Sequence, residues 1–458
     1  MPANQATADV VSAAISEPGP RTQKLSQFAR TFIPMLTLVA SRGGAMLAQF
    51  AAQLVIGTMA GAGALGALQL LTSWTCIAGE VLGLGLPTRA MKEVSISYAQ
   101  RQREQILQTL HESRRKIFRL WLTLVLLAAL PIIFLSRTQD TATWTEYSWL
   151  LISACLAAPL FSLIRLYAES LKATGAALAA ITIESLSSPL ALLLACAYCW
   201  LAGHLVVTFT LVVTFGLSLV ITPVALSRRL RRQVAELARS ANGTHDAHAP
   251  AKVERGDLFY LWGTGVLSIS FMHLPFMLMP LYVDTAQIGV FAVAHKLVNV
   301  ITTLLLLLAA VFGPSFARYA AQNDSHALLG LLRRTQLIST AVFLPVSLLL
   351  IALAEPLAGL LGEDFGNLQN YLAILAAGYL VNAVTGLSGV LMNMAGAASR
   401  EMYALIFAMV GALAGSLWIG PEHGATGLAI VFSSCIALKN IASYLLAIDL
   451  IKSRREQP

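Results

Sequence analysis

The sequence predicts an all-α polytopic membrane protein of about twelve transmembrane helices, arranged as two six-helix pseudo-repeats. Three observations carry that prediction. Apolar runs long enough to cross a bilayer recur along the whole chain, basic residues gather on alternate connections, and the two halves resemble each other at a nearly constant offset. Of 458 residues, 57% are hydrophobic and 12% charged, where a soluble domain carries about 25% charged residues. Hydrocarbon is therefore the solvent for most of the chain.

A spanning helix needs roughly 20 mostly apolar residues. The first set of such runs covers 32–59, 64–88, 117–136, 146–168, 177–201 and 204–226; the second covers 258–282, 287–313, 335–361, 369–394, 402–420 and 424–450. Amides in hydrocarbon must bond within their own segment, so these runs are helices; a barrel would alternate polar and apolar residues, and Leu304 to Leu308 does not. Residues 1–31 hold Arg21 and Lys24 with no apolar core before them and read as a cytoplasmic leader, not a cleavable signal. Bundles at 32–226 and 258–450 then flank a basic cytoplasmic linker at 227–257, and 451–458 forms a cytoplasmic tail. In the linker, RRLRR at Arg228 to Arg232 reads as a topology determinant ahead of a lipid-head-group site. His245 and His248, in the polar stretch SANGTHDAHAP, are too few for a metal site.

Charge supports the same topology. With the amino terminus inside, 26 of the 31 Lys and Arg residues fall on internal connections and helix ends, and the external connections hold only Arg137. Both termini are thus expected in the cytoplasm, and the net charge of +8 reflects orientation, not a nucleic-acid partner. The five cysteines all lie in apolar segments, so neither a disulfide framework nor a redox role for Cys196 and Cys199 is expected.

The halves align through small residues. LKATGAALAAITIES at Leu171 to Ser185 matches LMNMAGAASREMYAL at Leu391 to Leu405, pairing Gly175 with Gly396 at 221 positions. Gly66 pairs with Gly289 at 223, and Arg228 with Lys452 at 224. Six-span repeats related by an axis along the membrane normal are a transporter architecture, with substrate between the halves.

An ionisable group at bilayer depth costs about 2.5–3.5 kcal/mol, so it faces a cavity or a partner. Arg42, Gln49 and Gln53 lie within ~20° of one another on the first span. The second span carries Gln69, Ser73, Cys76 and Glu80 on one face; the eighth carries His295, Lys296, Asn299, Thr302 and Thr303; the last carries Ser433, Ser434, Lys439 and Ser443. Arg42, Lys296 and Lys439 lack a carboxylate at i±3 or i±4 and are the candidate cavity cations for a phosphate-bearing substrate, with Gln49, Gln53 and Asn299 beside them. The competing reading for each is an interhelical ion pair, such as Arg42 with Glu80 or Glu184. Arg165, with Glu169 four residues on, reads as a local pair. Glu80 and Glu184 are the deepest carboxylates and the candidates to carry a coupling proton or sodium ion. His273 reads first as a satisfied core histidine, and Pro275 and Pro280 as a hinge in the seventh span.

The stretches GLGLPTRAMKEVS at Gly83 to Ser95, IGVFAVAHKLVNV at Ile288 to Val300, GPSFARYAAQND at Gly313 to Asp324 and GATGLAIVFSS at Gly424 to Ser434 follow one another in an order that resembles the polysaccharide flippases (Wzx type) of the multidrug/oligosaccharidyl-lipid/polysaccharide (MOP) exporter superfamily. Lys92 stands where many relatives have arginine, and GTMAGAGALGALQ lacks the charged residues usual after the first span. The resemblance covers Gln27 to Ile451 and implies a MOP/MATE-like fold whose two bundles open alternately around a cationic cavity. The cargo it implies is an undecaprenyl-pyrophosphate-linked oligosaccharide repeat unit, flipped across the bacterial inner membrane for export of a surface polysaccharide. It further implies a non-enzyme with no cofactor or metal, driven by an H+ or Na+ gradient or the membrane potential, and working with membrane lipids and a polysaccharide polymerase and export machinery. Two alternatives stay open: a cation-coupled multidrug exporter of the same superfamily, and a membrane-embedded polysaccharide-modifying enzyme.

Overall fold

The computed structural model describes residues 21–138, 142–239 and 255–455, and among these the regular elements are all helical. Residues 1–20 of the expected leader, 240–254 of the expected linker with His245 and His248, and 456–458 of the tail lie outside the described residues. The first half comprises α1 (Arg21–Gly83), α2 (Leu86–Ala99), α3 (Arg103–Thr138), α4 (Ala142–Ala173), α5 (Ala177–Leu201) and α6 (Thr208–Arg239). The second comprises α7 (Arg255–Leu278), α8 (Thr285–Ala321), α9 (Ser325–Leu361), α10 (Leu368–Thr385), α11 (Ser388–Met394) and α12 (Ala398–Arg455).

Two of these helices are too long for one crossing. α1 has 63 residues and α12 has 58, whereas about 20 suffice for a crossing. Each breaks at a glycine with positive φ, Gly61 (81°) in α1 and Gly424 (51°) in α12, a conformation that glycine adopts without the Cβ clash other residues meet. Each therefore forms two limbs, and with the other long helices the fold accommodates the expected twelve crossings. By length and composition, stretches of α1, α4, α5, α6, α9 and α12 are apolar enough to span, and α10 continues into α11 through a 46° bend.

Several boundaries differ from the sequence expectation. The first helix begins at Arg21, inside the expected leader. The second span ends at Gly83, where Leu84 and Gly85 take positive φ, and Leu86–Ala99 forms a separate helix with Leu86, Ala90 and Val94 buried. α6 runs on to Arg239, so Arg228 to Arg232 lie on a helix and not in a linker. Pro275 is accommodated inside α7, while Pro280 lies in the 3-10 turn Met279–Leu281 that follows it.

The last turn of α12 meets the ends of α8 and α11 at one face, the terminal face. Toward the other face the halves close on each other. A Cβ on Gly66 would overlap the Thr285 carbonyl oxygen, and one on Gly289 would overlap that of Ala62. The two glycines aligned by the internal repeat thus face each other across the molecular axis, each making room for the other's helix. Tyr147 Oη donates to the Val283 carbonyl at 2.9 Å on the same side. At the terminal face, Arg454 donates to the carbonyls of Ala320 and Ala395, each at 2.7 Å, tying the ends of α8 and α11 to the last helix.

The outer surface is apolar, with Leu47, Leu205 and Phe407 at 69%, 85% and 76% exposure, as expected where hydrocarbon replaces water. Trp149, Trp200 and Trp418 are also exposed, near helix ends on the face opposite the termini, as an interfacial aromatic belt requires.

Candidate functional site: a lopsided intramembrane cavity

A cavity of about 310 Å³ opens among α1, α4, α5 and α6. Both limbs of α1 contribute to it: Gln49 and Gln53 from the first, Gln69 and Thr72 from the second. From α5 come Glu184, Ser185, Ser187 and Ser188, and from α6 Ser218 and Thr222. Among the described residues, His273 of α7 and Lys296 of α8 alone reach it from the second half. Apolar walls, including Ile56, Leu68, Phe161 and Phe215, fill the rest.

Its polar groups are partly engaged. Thr222 Oγ1 hydrogen-bonds Ser187 Oγ at 2.6 Å and the Ser218 carbonyl at 2.6 Å, joining α5 to α6. Gln69 Nε2 donates to Ser73 Oγ at 3.0 Å, and Ser73 Oγ meets His273 Nδ1 at 2.9 Å, joining the halves. Gln53 Oε1 is buried without a hydrogen-bond partner. Among the described residues Lys296 has no carboxylate within ion-pair distance. An acceptor and a cation left open in one cavity are groups that a polar, anionic ligand would satisfy.

Behind Glu184 lies a charged network. Arg165 reaches Glu80 at 3.8 Å, Glu169 at 3.2 Å and Glu184 at 3.7 Å; Lys172 reaches Glu169 at 2.9 Å and Glu184 at 3.6 Å. Three carboxylates share two cations here, across α1, α4 and α5. Glu80 also faces the second half, since a side chain at Gly265 of α7 would meet its Oε1 at 2.7 Å.

Solved structures share this architecture. A multidrug resistance MATE family transporter of the MOP superfamily, in an inward-facing conformation, is 17% identical, covers 90% of this chain and 96% of its own, and superposes with a TM-score of 0.70. The lipid II flippase MurJ, inward closed, is 12% identical over 91% and 87% of the two chains at 0.67. The fold is that of the MOP superfamily. A further MOP transporter, from Pyrococcus furiosus, described as having a binding pocket of reversed polarity, is 15% identical over 93% and 95% at 0.61. Residues 259–370 match a family model described as polysaccharide biosynthesis protein. No match to the chain occurs among curated proteins.

Within this MOP fold the sequence-expected residues part company. Lys296, Gln49, Gln53 and Glu184 line the cavity. Arg42 is exposed, and lies two turns, about 10 Å, from Gln49 on the same stripe toward the terminal face. Its expected alternative partners, Glu80 and Glu184, are held by Arg165 instead. Lys439 corrects the expectation of an unpaired cation: it pairs with Glu401, which also accepts from Ser443 Oγ at 2.6 Å. Three residues of the last span's polar face are thus engaged inside the second half, with Ser433 donating to the Ile374 carbonyl at 2.5 Å, while Ser434 is exposed. Asn299 contacts His295 Nδ1 at 3.2 Å, and His295 is packed among Phe276, Phe291 and Phe432 at 5.4, 6.1 and 5.9 Å. Neither lines the cavity. His273, read first as a core histidine, does. The serines of α5 and α6 escaped sequence reading; the signal available was the cluster ESLSSP at Glu184 to Pro189 within an apolar run.

Proposed function

We propose that the protein flips an undecaprenyl-pyrophosphate-linked oligosaccharide across the bacterial inner membrane by alternating access, with the terminal face in the cytoplasm. The observation that carries the reading is the make-up of the cavity: one unpaired cation, Lys296, shares it with hydroxyls from Ser185, Ser187, Ser188 and Thr222 and the open acceptor of Gln53. Lysine attracts a phosphate as a point charge, and hydroxyl and amide groups match sugar hydroxyls. The polysaccharide-biosynthesis match over 259–370 includes Lys296 and supports the same cargo class. Arg42 would meet the anionic head as it enters from the terminal face.

The Glu80–Arg165–Glu184 network, with carboxylates in excess and one face on the cavity, is the proposed point of coupling to an H+ or Na+ gradient. Handover to a polysaccharide polymerase and export machinery would follow release on the opposite face. A multidrug exporter is the second reading, favoured by the fold likeness to a multidrug transporter; an unpaired lysine in the cavity opposes the cationic drugs such a protein would expel.

The test is translocation of a labelled polyprenyl-pyrophosphate oligosaccharide in proteoliposomes. Transport by the native chain, lowered roughly tenfold or more in Lys296→Ala, is expected. Export of a cationic dye with no movement of the lipid-linked sugar would replace this reading by the second.

A further inference from the structure

A second pocket, of about 130 Å³, lies on the terminal face between the ends of α3 and α6. Its rim is basic, formed by His111 and Arg114 of α3 and Arg231 of α6; Tyr167 of α4 adds a phenol, Ser227 of α6 lines it with its hydroxyl donating to the Val224 carbonyl at 2.9 Å, and leucines such as Leu230 form the floor. No carboxylate lines it. Arg114 and Arg231 have no ion-pair partner among the described residues, unlike Arg89, Arg165, Lys172, Arg400 and Lys439, each of which does. The acid nearest in sequence, Glu112, instead accepts from Gln108 Nε2 at 2.9 Å.

The helix faces below this rim are apolar and open. One and two turns into the membrane from Arg114, Phe118 and Leu122 are 42% and 58% exposed; from Arg231 the same face of α6 runs through Ser227 to Val224 and Val220, at 42% and 47%. Two guanidinium forks and the Tyr167 hydroxyl at the level of the head groups, continued by exposed apolar side chains along two helices, match a molecule with an anionic phosphate head and an acyl tail. A solvated basic rim that only sets topology would not need a pocket formed between two helices, lined by Tyr167 and without a carboxylate.

We propose that this pocket holds the phosphate of an anionic phospholipid of the surrounding leaflet, with its acyl chain along Phe118, Leu122, Val220 and Val224. The site is separate from the intramembrane cavity, and the proposal does not depend on what that cavity carries.

Native mass spectrometry of the full chain, released from nanodiscs containing phosphatidylglycerol and phosphatidylethanolamine, tests it. The native protein is expected to retain phosphatidylglycerol preferentially, and Arg114→Ala/Arg231→Ala to lower that retention roughly tenfold or more. The control Arg115→Ala/Arg228→Ala removes the same charge from exposed positions outside the pocket and is expected to retain the lipid. Arg114→Lys/Arg231→Lys, which keeps charge without the fork, is expected to fall between the two. Equal loss in the control would reduce the site to general surface charge and overturn the proposal. So would undiminished retention in the double alanine variant, or displacement of the lipid by inorganic phosphate at matched concentration, which would mark a free-anion site.

Discussion

Lys296 and Lys439 are alike in sequence, each a lysine within an apolar run with no carboxylate one turn away, yet one borders the cavity and the other is spoken for by Glu401. Glu401 lies 38 positions earlier and on another limb of α12, so no helical spacing rule could have paired them. Arg165 was legible in part for the complementary reason: Glu169 is one turn away, while Glu80 and Glu184 reach it from other helices. The two lysines should therefore respond differently to removal of charge. Lys296→Ala is expected to lower translocation of the lipid-linked oligosaccharide roughly tenfold or more, the loss of one charge-assisted contact of about 1.5–3 kcal/mol, with an unchanged melting temperature in detergent. Glu401→Ala, which strands Lys439 and Ser443, should do the reverse in first effect: a lower melting temperature, with stability reduced by about 1–3 kcal/mol, measured by intrinsic fluorescence on heating. Gln53→Leu covers the open acceptor with apolar surface and is expected to leave folding intact while weakening sugar recognition, read as a higher substrate concentration for half-maximal transport.

Between α1 and α8 the helices approach backbone to backbone because Gly66 and Gly289 present no side chain at their crossing. The repeat offset singled out this pair from sequence, since a small residue needed for close approach in one half recurs at the equivalent place in the other. What spacing could not tell is that the two positions meet. In the same way the break at Gly61 falls in the expected gap after the first span and that at Gly424 on the first residue of the expected last one, because a short connection at the membrane face needs a positive-φ residue and glycine allows it. The end of α6 was missed because arginine is a good helix former, and a run of basic residues carries no stop signal of its own. Gly289→Val would force the crossing apart on the face opposite the termini. It is expected to abolish net transport while the protein still reaches the membrane, with greater access of an impermeant thiol reagent to cysteines introduced beside the seam; unchanged access and full transport would contradict the seal.

Across the whole molecule, the repeat that relates the two halves describes their backbones better than their chemistry. The cavity belongs mainly to the first half, while the second half engages Lys439, Ser443 and Ser433 within itself and leaves His295 Nε2 buried among aromatic rings without a hydrogen-bond partner. Sequence symmetry led to the expectation of substrate between the halves, because hydropathy and glycine spacing report the fold, whereas which polar face meets which neighbour depends on helix rotation. With the seam closed on one side, the cavity should be reached from the terminal face. A cysteine-free variant carrying Ser188→Cys is expected to react with an impermeant maleimide in inside-out vesicles and not in right-side-out ones, and bound lipid-linked oligosaccharide should slow the reaction. The clasp made by Arg454 bears on how the polypeptide can be handled. Its guanidinium closes off the carbonyls of Ala320 and Ala395, so a reporter grafted upstream of Ser453, or a deletion reaching it, would unfasten two helix ends at once, whereas a purification tag appended beyond Pro458 leaves that fastening whole.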